Sequence, residues 1–146
     1  MSPRSRSDEP PVPGTLTRKQ VLDALRRGTS LSGQDLRMLD LSGTNFDGLD
    51  LSYTKFGEAQ LEGCSFRNTT LEGASFWHAN LRNAVFDGSL LDDTDFDFAV
   101  LDGCTFRAAR LKRIIVPHGR ASLLKIQESV RTGRPVFLDG STDGTA

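Results

Sequence analysis

Residues 61–81 read Leu61-Glu62-Gly63-Cys64-Ser65-Phe66-Arg67-Asn68-Thr69-Thr70-Leu71-Glu72-Gly73-Ala74-Ser75-Phe76-Trp77-His78-Ala79-Asn80-Leu81. Every fifth residue is Leu or Phe. The rule extends outward without a break from Leu31 to Leu111, 17 hits in 17 positions, and from Leu41 onward the two residue types alternate strictly. The chain holds 19 Leu and 9 Phe among 146 residues, so chance would fill roughly one such position in five.

No ordinary element has this period. Five steps along an α-helix rotate a side chain by about 140°, so the large residues would gather on no face. A flat strand alternates with period two, so successive fifth residues would point to opposite sides. All 17 can face one interior only if the backbone turns a corner every five residues and stacks on itself. The neighbours agree. Two positions before each large residue the side chain is small at 13 of the 14 sites from Thr44 to Ala109, Leu49 being the exception. Two positions after it stand Gly43, Gly48, Gly63, Asn68, Gly73, Asn83, Gly88 and Gly103, residues that accept the positive φ of a tight turn.

This pattern resembles the pentapeptide-repeat family, whose motif is Ala-(Asp/Asn)-Leu-x-x; Ala79-Asn80-Leu81-Arg82-Asn83 matches it, and the likeness covers residues 31–111. The resemblance implies an all-β fold, a right-handed, four-sided β-helix with 20 residues per coil and about four coils, flanked here by short α-helices. A 20-residue step is visible on its own: Leu41-Ser42-Gly43-Thr44-Asn45-Phe46, Leu61-Glu62-Gly63-Cys64-Ser65-Phe66 and Leu101-Asp102-Gly103-Cys104-Thr105-Phe106 align at multiples of 20. Val85, Leu90 and Val100 depart from the motif, standing where the family prefers Asp or Asn.

The organisation expected from these signals is an N-terminal disordered tail over 1–14, rich in Pro, then a capping helix over 15–28. The helix opens with Thr17 and Gln20 as a capping box, Leu16 and Val21 as a hydrophobic staple, and stops at Gly28. The solenoid follows over 29–116, a C-terminal helix and capping segment over 117–138, and a disordered tail over 139–146. The second helix, expected over 121–131, would bury Leu123, Leu124, Ile126 and Val130, with Val136-Phe137-Leu138 folding back on the domain.

The net charge of −1 is divided unevenly. Residues 31–111 hold 13 acids and 6 bases (−7), while each flank carries 6 bases and 3 acids (+3). No apolar run reaches membrane-spanning length and the N-terminus has no apolar signal core, so the expectation is a soluble, cytoplasmic protein with no membrane partner; a bacterial source goes with the resemblance alone. Cys64 and Cys104 lie 40 residues apart, hence two coils apart in one column. At about 4.8 Å per coil they are too distant for a disulfide and should be buried free thiols.

Chemistry-bearing motifs are scarce: no phosphate-binding glycine loop, no Gly-x-Ser-x-Gly and no Cys-x-x-Cys. The expectation is a non-enzymatic protein with no catalytic residues, no cofactor and no metal site. Asp92, Asp93, Asp95 and Asp97 lack the Gly and closing Glu of a calcium loop and read as a solvated coil edge. One outward column, Asp47, Arg67, Asp87 and Arg107, alternates in sign at one-coil spacing and reads as a charge ladder.

Two functional readings follow. The first is a rigid protein-protein interaction module with an unknown protein partner or with itself as partner. The second rests on the resemblance alone, since some family members protect DNA gyrase and related topoisomerases by imitating DNA. The mixed columns and the short stack, about 20 Å for four coils, favour the first. Direct nucleic-acid binding is disfavoured by the acidic coils. The turn column at 38, 58, 78 and 98 reads Met38, Glu58, His78, Phe98, and the candidate partner-binding surface is Met38, His78 and Phe98 of that column together with Trp77, the sole tryptophan, and Val100. Because Phe76 and Phe96 take the inward sites, Trp77 and Phe98 should point outward, to meet either a partner or one of the chain's own C-terminal segments.

Overall fold

In the computed structural model, residues 10, 12–117 and 119–138 are described. Most of the tail expected over 1–14, all of that over 139–146, and His118 lie outside them. Val12 to Thr15 form a turn in which the Thr15 backbone N–H and hydroxyl both donate to the Val12 carbonyl, at 3.1 and 2.7 Å.

The coil stack is held by parallel bridges between residues 20 apart, from Asp35 with Lys55 to Asp95 with Ile115. Four bridge positions, for example 35, 40, 45 and 50, come round before the register repeats, so each coil has four faces. The first face centres on Leu36, Phe56, Phe76 and Phe96; the second on Leu41, Leu61, Leu81 and Leu101; the third on Phe46, Phe66, Phe86 and Phe106; the fourth on Leu31, Leu51, Leu71, Leu91 and Leu111. Each face contributes one isolated bridge per coil and no longer strand, because a corner follows two residues later. The sequence expectation of an all-β chain is therefore refined: sheet pairing is present as single-residue bridges, and the two helices are the only extended regular elements among the described residues.

Those corners explain the five-residue period. All 17 residues at positions 33, 38, 43 and onward to 113 have positive φ, between 54° and 82°. In most corners the N–H of the next residue donates back to the large residue's carbonyl, as in Thr44 to Leu41 at 3.1 Å. Gly fills seven of these sites and Asn or Asp three, but Met38, Tyr53, Glu58, His78, Phe98, Ala108 and Arg113 bear the left-handed conformation with ordinary side chains. Ala108 is an exposed case whose methyl offsets none of that cost. Ala108→Gly is expected to raise unfolding free energy by about 1 kcal/mol in denaturant titration; a loss of stability would mean the corner is not strained.

Inside, the Phe rings form two columns. Rings one coil apart stack at 5.0–5.2 Å within 9° of parallel, and the two columns meet edge to face at 5.4–6.1 Å. The small inward residues do a second job. Thr54, Cys64, Thr94 and Cys104 donate from Oγ1 or Sγ to the carbonyls of Leu31, Leu41, Leu71 and Leu81, one coil earlier, at 2.9–3.0 Å. Both cysteines are free and buried. Burial pushes the Cys64 thiol up from its ordinary value near 9 to about 11, and Cys104 higher still. Neither should label with a maleimide at pH 8 until denaturant is added; stoichiometric labelling of the native chain would contradict this packing. A thiol held neutral by folding stabilises fully below the unfolded-state value near 9, so stability is expected to fall as pH rises from about 9 to 11.

The outward bridge position shows why the repeat favours Asp or Asn there. The side chains of Asp35, Asp40, Asn45, Asp50, Asn80 and Asp95 each accept from the backbone N–H two residues on, at 2.8–3.2 Å. At Ser65 and Thr105, where the motif's Asp or Asn is missing, the preceding coil supplies the acceptor: Asp47 accepts from the Arg67 N–H at 2.8 Å and Asp87 from the Arg107 N–H at 3.0 Å. The charge ladder expected from the sequence is thereby corrected. Its carboxylates bind backbone N–H groups one coil on, and among the described residues no guanidinium of that column pairs with them.

Both ends of the stack are covered. Helix α1 spans Arg18–Arg27, with the reciprocal Thr17/Gln20 capping box and Gly28 at φ 70° as its stop. Just before it, the Leu16 N–H donates to the Asp35 carbonyl at 3.0 Å, the same 19-residue offset the coils use, so Leu16 stands in for a preceding coil. Val21 is fully buried beneath the helix, with Leu16, Ala24 and Leu25 packed on the core. Helix α2 spans Arg120–Thr132. Its buried residues are Ser122, Ile126 and Ser129, with Leu123 and Val130 half-buried; Leu124, expected in the buried set, is 55% exposed. The reason is that the last coil needs hydrogen-bond acceptors as well as apolar cover. Ser129 Oγ accepts from the Phe106 N–H at 3.0 Å, the Val130 carbonyl from Ala108 at 2.9 Å, and the Val136 carbonyl from Gly103 at 2.7 Å.

Candidate functional site

The corner between the first and second faces carries two outward columns. One runs Arg37, Gly57, Trp77, Asp97 and the other Met38, Glu58, His78, Phe98. Both are fixed by the coil ladder, with Met38, Glu58 and His78 donating from backbone N–H to Gly57, Trp77 and Asp97 carbonyls at 2.8–3.1 Å. Their side chains therefore project from a backbone with little freedom.

The structure brings three of the sequence-chosen residues together. The His78 ring stacks on Phe98 at 4.7 Å and 9°, and Trp77 meets His78 edge to face at 4.1 Å. Met38, Trp77 and Phe98 are 48, 42 and 60% exposed, so the described C-terminal segments, which sit on residues 102–108, do not bury them. Met38 belongs to the same column but lies two coils from His78, roughly 10 Å by the coil spacing. Val100 is only half-buried on the second face, next to the Asn80 bridge.

Sequence reasoning left two neighbours out of the site. Glu58 and Gln60 join Trp77 and His78 around a shallow, open depression of about 400 Å³. Adding 20 to Met38 gives Glu58, so the column was legible, but its participation depends on the lean of the side chains along the axis. Gly57 is also buried at this corner: a Cβ there would lie 3.5 Å from the Trp77 carbonyl and 3.7 Å from the Arg37 side chain. Arg37 covers it while holding Asp35 through two contacts, at 2.8 and 2.7 Å, and that hydrogen-bonded guanidinium keeps the Asp35 carboxyl below its ordinary range. A further exposed aromatic, Tyr53, occupies the corner between the fourth and first faces and lies over Gly73.

The acidic run is already engaged by protein groups. Asp92 pairs with Arg110 at 3.0 Å, Asp93 binds Arg113 through both oxygens at 2.7 and 2.9 Å, and Asp95 accepts from the Asp97 N–H at 2.8 Å. Among the described residues no group of three or more His, Cys, Asp or Glu is placed to hold a metal ion, and no helix is long and apolar enough to cross a membrane.

A coil of four five-residue faces with an inward Leu or Phe on each is the architecture of a pentapeptide-repeat protein. The family model for the pentapeptide repeat region matches residues 39–116, and the chain belongs to that family, whose members form right-handed β-helices. It is similar to alr5209, a pentapeptide repeat protein from Nostoc Pcc 7120, at 26% identity and a TM-score of 0.69, over 77% of this chain and 94% of that one. It is also similar to a pentapeptide repeat protein of the Arabidopsis thaliana thylakoid lumen, at 29% identity and a TM-score of 0.53; the match spans 59% of this chain and only 56% of that one. QnrB1, a plasmid-mediated fluoroquinolone resistance protein, aligns at 17% identity with a TM-score of 0.37, too slight a likeness to carry an argument. No curated protein matches the chain.

Proposed function

We propose that this chain is a non-enzymatic, right-handed, four-sided solenoid that works as a rigid protein-interaction module in the cytoplasm, presenting the Trp77 corner to a protein partner. The observation that carries this reading is the exposure of Trp77, His78 and Phe98 as one contiguous aromatic cluster on a backbone locked by the coil ladder. Large aromatics held in place before binding lose little entropy on complex formation and commonly anchor interfaces. The test is capture from a lysate of the native host with the immobilised chain and with Trp77→Ala and Phe98→Ala. Both variants should lose the captured protein while melting within about 2 °C of the parent, since exposed substitutions cost little. Capture that survives both, or a drop of many degrees, would refute the reading.

The net charge of −7 over residues 31–111 favours one other proposal, binding to DNA gyrase or a related topoisomerase in place of DNA. A supercoiling assay with inhibitor-challenged gyrase separates the two: only this second function restores activity.

A further inference from the structure

The Trp77 corner carries chemistry as well as apolar area. His78 has one ring face covered by Phe98, and the residue before it in the column, on the side away from Phe98, is Glu58. Trp77 stands at 74° to His78, so the two rings make an L, and Glu58 and Gln60 complete the rim of the depression. Among the described residues no cation lies within ion-pair distance of Glu58 or of Asp97, the axial neighbour of Trp77. Arg37, whose side chain lies over Gly57 in the adjacent column, acts on Glu58 only through space, because two side-chain contacts hold it to Asp35. An aromatic wall beside a free carboxylate, on coils of net charge −7, complements a cation. A guanidinium fits better than an ammonium, being planar enough to lie against a ring and forked enough to give a carboxylate two hydrogen bonds.

We propose that the corner is a receptor for an arginine side chain displayed by a basic segment of the partner, with Trp77 as the stacking face and Glu58 as the anion. This rests on the interaction reading above and adds the chemistry of the contact. Arginine inserted here exchanges no covalent bond; it gives Glu58 the ion-pair partner that, among the described residues, it lacks.

The sole tryptophan is at the site, so its emission reads binding directly. The probe is the peptide acetyl-Gly-Arg-Gly-amide, titrated to millimolar concentration into the full chain against the citrulline peptide, which keeps the shape and removes the charge. A saturable change in Trp77 emission is expected with arginine and not with citrulline. Glu58→Gln should weaken it about two- to fivefold, the range of an exposed pair, whereas Glu62→Gln, which removes the same charge at the next corner, should leave it unchanged. Equal response to citrulline, or equal loss in the two variants, overturns the proposal. So does sedimentation showing a dimer that Trp77→Ala dissolves, because the occupant is then a second copy. If host-partner capture depends on Trp77 while the arginine peptide is ignored, the interface survives and the guanidinium contact is refuted.

Discussion

Deleting one residue, Thr69, is expected to leave the chain unfolded, whereas deleting 20, residues 61–80, is expected to leave a folded and shorter stack. The difference follows from register. Without Thr69, Leu71 moves to an outward bridge position, Thr70 takes an inward site, and Ala74 and Ala79 fall on corners that require positive φ, now held by Gly73 and His78. Every later corner inherits the error, since each coil pairs only with residues 20 away. Removing 61–80 joins Gln60 to Leu81 and restores every column, at the cost of one coil's stacking. Far-UV circular dichroism and thermal melting distinguish the two. Equal damage from both deletions would contradict the 20-residue coil.

Phe66→Ala should be the most damaging of the conservative point changes. Phe66 is fully buried and touches four other rings: it stacks on Phe46 at 5.1 Å and Phe86 at 5.0 Å, and meets Phe56 and Phe76 edge to face at 5.9 and 5.6 Å. A cavity left at the centre of such a column cannot collapse without breaking the coil spacing set by the backbone ladder. The expected loss is about 3–5 kcal/mol, read as a melting temperature lower by on the order of 10 °C. Phe86→Ala, with the same set of neighbours one coil on, should match it. A loss under about 1 kcal/mol at both sites would mean the columns are loosely packed.

The core was legible in the sequence because one physical demand, a large inward side chain before each corner, recurs with no competing signal from Leu31 to Leu111. The same column arithmetic placed Trp77 and Phe98 outside, since Phe76 and Phe96 occupy the inward sites. It could not say which atoms meet. Asp47 and Arg67 are neighbours as expected, but the carboxylate takes the backbone N–H because the local acceptor at position 65 is a serine. Helix α2 shows the same limit. Its apolar residues suggested a buried side including Leu124, yet the face against the last coil is Ser122, Ile126 and Ser129, chosen by the open edge's need for acceptors. At the corner, Glu58 is readable from the 20-residue column, while the burial of Gly57 beneath Arg37 depends on side-chain directions that periodicity does not specify.

Residue-resolved oxidative footprinting of the chain, free and bound to its captured partner, tests the interface most directly. Trp77, Phe98 and Tyr53 are all exposed in the free chain, and Tyr53 lies one corner away as an internal control. Complex formation should protect Trp77 and Phe98 and leave Tyr53 oxidised as before. Protection of Tyr53 with Trp77 and Phe98 unchanged would show that the partner binds elsewhere on the solenoid.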